Sequence, residues 1–465
     1  MIKRTLAQIA HMVDGELSAK ETSPGALWIE GVSTDSRSIQ AGNLFVPLAG
    51  DNFDGHAYVE GAIQSGAAAA LWQRDHGPAP EGRPIVVVED SLIALQQLAA
   101  AYRDELDVRV IGVTGSNGKT TTKDMLAAML GTVFCVHKTQ GNLNNHIGVP
   151  LTLLQLAEET QVAIIEMGMS GRGEIELLSR LAKPEASIIT NIGESHLLQL
   201  GSRQEIARAK LEIAAGMPHG SLLVTQGDDP LLAEELGPVV AAGAFRHTRF
   251  GQGQDNDVYP IEITLDDQGT HFKANGSDIR WFVPLLGQHN VINALGAIAV
   301  CRSFGVEDQE LARGLRQMQA TGMRIELVKA PNGLTILNDA YNASPSSMRA
   351  ALKLLAEMKG YESKVAVLGD MLELGDGEAQ FHHDIGSQID SLTADYVFTY
   401  GERARHIAEA AAARLPAGHV LSFSDKSLLV DQLLQVAQPQ DIILVKGSRG
   451  MKLEEVIGGL LQAVK

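Results

Sequence analysis

Between Val110 and Thr122 the chain reads VIGVTGSNGKTTT. An apolar run of this length is a buried strand, a glycine-rich turn follows it, and TTKDMLAAML continues as a helix. Backbone N–H groups of such a turn converge on phosphate oxygens, and the helix N-terminus adds partial positive charge there. Gly115 and Gly118 let the backbone approach closely. Lys119 is suited to neutralise β- and γ-phosphates, and the Thr120 hydroxyl to sit on Mg²⁺. Ser116, Asn117 and Thr121 would complete an ATP-binding stretch. A strict P-loop carries a glycine where this chain has Val113, so the alternative reading is a glycine turn ahead of an ordinary helix.

Three later segments bear on what happens to the γ-phosphate. VAIIEMGMSGRGEI puts Glu166 at the carboxyl end of an apolar strand, the end that faces the ligand crevice of a parallel sheet. Glu166 is therefore a metal ligand beside Thr120, or else a surface glutamate at a strand end. SIITNIGESHLLQLGS places Asn191 and His196 just beyond another strand. A neutral imidazole ligates metals, although a lone histidine more often serves structure. Ser202 to Glu205 (SRQE) reads as a capping box opening a helix that carries Lys210. By itself Lys210 is a solvated helix lysine.

These residues need a scaffold of parallel strands. Among 465 residues there is room for two or three domains. From residue 1 to 89 the sequence alternates short strands (WIEGVSTDSR, NLFVPLAG, IVVVED) with a helix near Leu6–Val13, a small-residue helix from Tyr58 to Ala70, and a Pro- and Gly-rich loop from Gly77 to Pro84. From 90 to 319, strand runs VRVIGVTG, VAIIEMG, SIITNIG and SLLVTQ alternate with amphipathic helices, which argues for a parallel sheet. From 320 to 465, TILNDAY, KVAVLGD, DYVFTYG and DIILVKG repeat that logic as a smaller doubly wound unit. The expected fold is α/β in three domains: a small N-terminal one, a central P-loop ATPase-like one and a C-terminal Rossmann-like one.

A formal charge of −18 disfavours nucleic acid as a general partner. Cys135 and Cys301 form no disulfide framework, which fits the cytosol. No secretory leader and no apolar run long enough to span a bilayer is legible. His382 and His383 are adjacent on a helix, where side chains diverge, so they read as structural.

With these motifs laid out, the chain resembles the Mur ligase superfamily of peptidoglycan synthesis. The resemblance covers essentially the whole chain. It runs through VSTDSR, DGHAYVEGAIQSGA, TGSNGKTTTKDM, KTQGNLNNHIGVPLTLL, EMGMSGRGEI, TNIGESHLLQLGS, ARAKLEI, GQHNVINALGAIA, GMRIE, NDAYNASPSSM, LGDMLELG and VKGSRGMKLE. It implies a uridine-nucleotide site at Ser33, Asp35, Ser36 and Arg37, and metal ligands at Glu166 and His196. It also implies that Lys210 carries a carbamate, which a desolvated, neutral amine can form with CO₂. Asn290 and Asn293 match contacts to the nucleotide base, Arg324 a contact to the ATP phosphates, and Asp339 a contact to the ribose. Asn142, Asn144 and Asn145 match the motif near the reacting carboxylate, with Asn145 among the catalytic residues. Tyr341, Asn342 and Ser344 match the loop that closes the site.

The implied activity is ATP-dependent ligation, with two Mg²⁺ ions, of D-alanyl-D-alanine to UDP-N-acetylmuramoyl-tripeptide by a cytoplasmic monomer. The γ-phosphate would pass to the tripeptide carboxylate, and the dipeptide amine would displace it. The D-N-P-R string of the diaminopimelate-adding ligase is absent from this sequence. Folylpolyglutamate synthase shares the chemistry, but VSTDSR and DGH favour a uridine nucleotide. A P-loop motor would release phosphate without needing an amine. A catalytically dead binding protein fits poorly with intact Lys119, Glu166, His196 and Lys210.

Overall fold

The computed structural model describes residues 1–18, 26–50 and 53–463. In the N-terminal unit a five-stranded sheet has the order Glu16–Leu17, Ile85–Val88, Ala69–Gln73, Leu44–Phe45, Val32–Ser33. Its pairs are parallel except that of Glu16–Leu17 with Ile85–Val88.

Three expectations change here. The stretch WIEGVSTDSR is not one strand: Gly31, with φ +80°, breaks it into Trp28–Glu30 and Val32–Ser33, which join different sheets. NLFVPLAG divides around Pro47, which has no N–H for a ladder, into Leu44–Phe45 and Ala49–Gly50. The small-residue helix ends at Gln64, and Ala69–Gln73 is a strand. Ala69, Ala70 and Leu71 are fully buried in the sheet, so packing overrides the helical preference of alanine.

The central sheet has six parallel strands in the order Val136–Lys138, Val162–Glu166, Arg109–Thr114, Ala186–Ile189, Leu222–Gln226, Arg246–Phe250. Alternate residues feed opposite cores. Val110, Ala163 and Ile165 pack on one side with the helices Ser91–Glu105 and Glu174–Ala182, while Ile111, Val113 and Ile164 pack on the other with Lys119–Leu130 and Gln288–Ser303. Both faces are covered, so these strands read as continuous apolar runs. Arg109–Thr114 comes first of these strands in the chain yet lies mid-sheet, which makes its carboxyl end the topological switch point. A three-stranded antiparallel sheet, Pro260–Leu265, Thr270–Ala274 and Arg280–Val283, was not anticipated. Its first strand is largely exposed and carries no buried apolar run.

The third unit also has a six-stranded sheet, ordered Glu326–Lys329, Thr335–Asp339, Ile442–Lys446, Lys364–Gly369, Tyr396–Tyr400, Val420–Phe423. The four anticipated strands are its centre; the two at the edges are more exposed and were not legible. Asp339 and Lys446 end neighbouring strands and point into the same crevice. No helix among the described residues is long and apolar enough to cross a membrane.

Candidate active site

The glycine turn is shaped by its neighbours. A Cβ at Gly115 (φ +149°) would lie 1.8 Å from Thr190 Oγ1, and one at Gly118 (φ +81°) 2.7 Å from Asn293 Oδ1. Ser116 N–H donates to the Asn191 carbonyl at 3.0 Å, and Asn117 N–H to Asn191 Oδ1 at 2.9 Å. Thr190 Oγ1 donates to the Asn117 carbonyl at 2.6 Å. Asn191 is thus a brace for the turn. The helix Lys119–Leu130 has no side-chain cap, which leaves its first N–H groups for a ligand.

Lys119 donates back to the Gly115 carbonyl at 2.7 Å. Burial holds its pKa below the ordinary lysine value against the opposing pull of Glu166, and the Arg324 charge adds to the lowering. Thr120 Oγ1 donates to Glu166 Oε2 at 3.0 Å, and Asn144 Nδ2 to Glu166 Oε1 at 2.9 Å. Glu166 is only 3 % exposed, so the surface reading fails. Lys123, one helical turn after Lys119, places its Nζ 3.7 Å from the same Oε2. It is an unanticipated member of the site; its i+4 spacing from Lys119 was the available signal.

Lys210 is 1 % exposed and lines the same cavity, so it is not a solvated helix lysine. Burial, and then the charge of Lys119, push its pKa well below the ordinary value. The capping box that opens its helix is half formed. Ser202 Oγ accepts from Glu205 N–H, but the Glu205 carboxylate turns outward to Arg172 and Arg208. His196 adopts a left-handed backbone (φ +65°), with Nδ1 2.7 Å from Glu373 Oε2 of the third unit, outside hydrogen-bond alignment. Burial and Lys119 lower its pKa, so the imidazole is held toward its neutral form.

One cavity of about 630 Å³ gathers these groups. The central unit supplies Ser116 to Thr121, Asn142, Asn144, Asn145, Glu166, His196, Lys210, Asn290 and Asn293 to its wall. The third unit supplies Arg324, Asp339, Tyr341, Asn342 and Lys446. Several of these groups also hold the frame. Asn145 Oδ1 accepts from Gly148 N–H at 2.8 Å, and Asn290 Nδ2 donates to the Leu286 carbonyl at 2.8 Å. Asn293 lies against the glycine turn. Lys446 Nζ donates to Asp339 Oδ2 at 2.5 Å and to the Asn342 carbonyl at 3.0 Å, a role not anticipated for it. Arg324 lies 4.1 Å over the Tyr341 ring, between Met323 and Ile325, both of which have positive φ. A β-branched residue in that region is strained.

Two groups fall elsewhere. Ser344 caps the helix Pro345–Glu357 in a box with Ser347; Ser346 and Ser347 face the cavity in its place. Ser33, Asp35, Ser36 and Arg37 lie outside the cavity in a turn of the N-terminal unit. There Arg37 forms a two-point pair with Asp35 (2.9 and 2.7 Å), and this pair lowers the Asp35 pKa to about 2.

His382 is structural: Nε2 accepts from Met371 N–H at 2.9 Å, so Nδ1 carries the proton given to the Glu378 carbonyl. The Asp54, His56 and His76 group has metal-like spacing. However, His56 Nε2 accepts from Gln73 N–H, so its Nδ1 donates to Asp54 and has no lone pair to offer.

Three family profiles match the chain: "Mur ligase family, catalytic domain" over residues 28–103, "Mur ligase middle domain" over 113–301, and "Mur ligase, glutamate ligase domain" over 323–449. The UDP-N-acetylmuramoyl-tripeptide–D-alanyl-D-alanine ligase of Bacillus subtilis strain 168 is 49% identical over 463 residues, covering 100% of this chain and 99% of that protein. A crystal structure of MurF from Acinetobacter baumannii superposes with a TM-score of 0.88 at 33% identity, covering 99% of each chain. The MurF ligase of Thermotoga maritima in complex with ADP superposes with a TM-score of 0.81 at 27% identity, over 94% of this chain and 98% of that one.

Proposed function

The chain belongs to the Mur ligase family, and from that premise we propose how its residues divide the work. It is an ATP-dependent ligase that joins D-alanyl-D-alanine to UDP-N-acetylmuramoyl-tripeptide in peptidoglycan precursor synthesis. The observation that carries the residue assignment is the meeting of Lys119, Glu166, Lys210 and Arg324 in one cavity built by two units of the chain.

In this reading Lys119 leaves the Gly115 carbonyl and turns to the β- and γ-phosphates. The open first turn of its helix donates N–H groups to the same oxygens. Arg324 reaches the phosphates from the third unit, and Tyr341 holds its guanidinium flat. Asp339, positioned by Lys446, takes the ribose, and Asn290 and Asn293 line the nucleotide's side of the cavity. Asn142, Asn144 and Asn145 stand near the tripeptide carboxylate, with Tyr341 and Asn342 in the loop closing over it and Ser344 capping the helix that follows. Ser33, Asp35, Ser36 and Arg37 hold the uridine diphosphate end.

The donor set fits Mg²⁺. Thr120 Oγ1 and Glu166 Oε2, two hard oxygen donors 3.0 Å apart, would hold such an ion. His196 offers a further lone pair. Lys210, whose proton is weakened by burial and by the charge of Lys119, would add CO₂ to its amine, lose a proton and present carbamate oxygens. Bound Mg²⁺ would neutralise the charge that otherwise keeps a carboxylate away from a triphosphate. Two like charges ~4 Å apart repel by ~4 kcal/mol at an effective dielectric of ~20.

The γ-phosphoryl group passes to the tripeptide carboxylate, and the amine of the dipeptide attacks the acyl carbon. The tetrahedral intermediate then expels phosphate, leaving an amide. Two free cysteines and the use of ATP favour the cytoplasm as its setting. The deciding assay follows phosphate and product mass with ATP and UDP-N-acetylmuramoyl-tripeptide, while D-alanyl-D-alanine is supplied, omitted or replaced by other amines. A product that gains the dipeptide's mass in step with phosphate is expected. Phosphate release indifferent to the amine would overturn the route.

A further inference from the structure

The loop 190–196 meets the third unit through a side chain assigned no part in the chemistry above. Glu194 is 8 % exposed and spends both carboxylate oxygens across the boundary. Its Oε2 accepts from Ser346 N–H at 3.3 Å, and its Oε1 from Arg349 Nη2 at 3.0 Å. Ser346 N–H belongs to the first turn of the helix Pro345–Glu357, where a negative charge is favoured by the helix dipole. Among the described residues this is the one carboxylate pair with lysine or arginine that joins the central sheet's unit to the third.

The same helix end touches the phosphate turn itself. Asn117 Nδ2 donates to Ser346 Oγ at 3.1 Å, and Ser344 Oγ donates to Asn117 Oδ1 at 3.2 Å. On the other side, Gly193 N–H donates to Ser116 Oγ at 2.8 Å, so the loop bearing Glu194 is tied to that turn as well. Three pieces therefore meet at one point: the turn that would hold the phosphates, the loop, and the helix that follows the closing segment Tyr341–Ser344.

We propose that Glu194 is a positioning residue that clasps the third unit over the phosphate turn, so that the acyl phosphate meets the amine before it meets water. This rests on the ligase route above. The two fates of the intermediate differ in one bond. The amine forms a C–N bond at the acyl carbon and expels phosphate, whereas water gives back the tripeptide carboxylate and phosphate. A loosened clasp admits water while leaving the nucleotide's own contacts in place.

The experiment compares phosphate released with amide formed, using the full-length enzyme, ATP, UDP-N-acetylmuramoyl-tripeptide and D-alanyl-D-alanine, with ADP affinity measured alongside. The wild-type chain is expected to release phosphate and form amide in equal amounts. Glu194→Ala and Arg349→Met are expected to release several-fold more phosphate than amide, with ADP affinity unchanged. The reversed pair, Glu194→Arg with Arg349→Glu, should recover part of the coupling. Arg349 is the more exposed partner, so its variant keeps the test open should Glu194→Ala fail to fold. Equal phosphate and amide in the variants, or a parallel loss of ADP binding and both products, would overturn the clasp. A wild-type chain that forms no amide would instead overturn the ligase route.

Discussion

The phosphate cavity and the Ser33–Arg37 turn treat their cations in opposite ways. Lys119 is taken from water with only backbone hydrogen bonds, while the Lys210 amine, which pairs with no carboxylate among the described residues, is pushed by burial and by Lys119 toward its neutral form. Arg37 is exposed and already satisfied by Asp35. A buried, under-compensated cation gains most when negative charge arrives, so it can act on a developing charge. An exposed, paired cation exchanges one partner for another and mainly adds binding. Chemistry should therefore be sensitive to the first region and affinity to the second.

The largest break in that contrast comes at Lys119. Lys119→Ala should slow turnover by at least ~10², the scale of losing one charge-stabilising donor. Steady-state rates at saturating ATP check this, and a near-wild-type kcat would remove the role given to the residue. Lys210→Ala should cause a comparable loss. In the wild-type chain, activity should fall as pH falls, because protonation of the amine competes with carbamate formation, and added bicarbonate should offset part of the fall. The linkage runs the same way. Lys210 has a lower pKa folded than unfolded, so the unfolded chain binds more protons between the two values, and this residue's contribution to stability rises with pH across that window. A rate indifferent to bicarbonate at every pH would argue against the carbamate.

On the exposed side, Arg37→Ala should raise KM for the uridine-nucleotide substrate about 10-fold, with kcat unchanged. A fall in kcat instead would erase the distinction between the regions. The smallest effect is expected at Ser344, which lies between them in character. Ser344→Ala removes a helix cap worth ~1 kcal/mol and should lower the melting temperature by about 2–4 °C. Differential scanning calorimetry would resolve the shift.

The two regions also differed in how far they could be read beforehand. The cavity's central residues were legible because each sits at a landmark: a glycine turn after an apolar strand for Lys119, a strand's carboxyl end for Glu166. Thr120 and Glu166 meet although 46 positions separate them. Parallel pairing of Arg109–Thr114 with Val162–Glu166 sets the turn that leads into Thr120's helix beside the strand end that carries Glu166. The partners that cross between units left no such mark. Ser346 meets Asn117 across 229 positions, and Lys446 meets Asp339 across 107. Neither periodicity nor turn chemistry reports on contacts of that range. In the N-terminal unit, Ala69 and Ala70 read as helix because alanine's preference is local, while their burial in the sheet is not.

From residues alone came the alternation of apolar strands with amphipathic helices, the phosphate turn and the family whose motifs run the length of the chain. Those features are local, set by side-chain period, by glycine's backbone freedom and by caps. Which cations would be stripped of water, which carboxylate would clasp the neighbouring unit and which serine would face the cavity were decided by tertiary structure. Desolvation and cross-unit pairing depend on what packs against a group, and that depends on how distant segments come together.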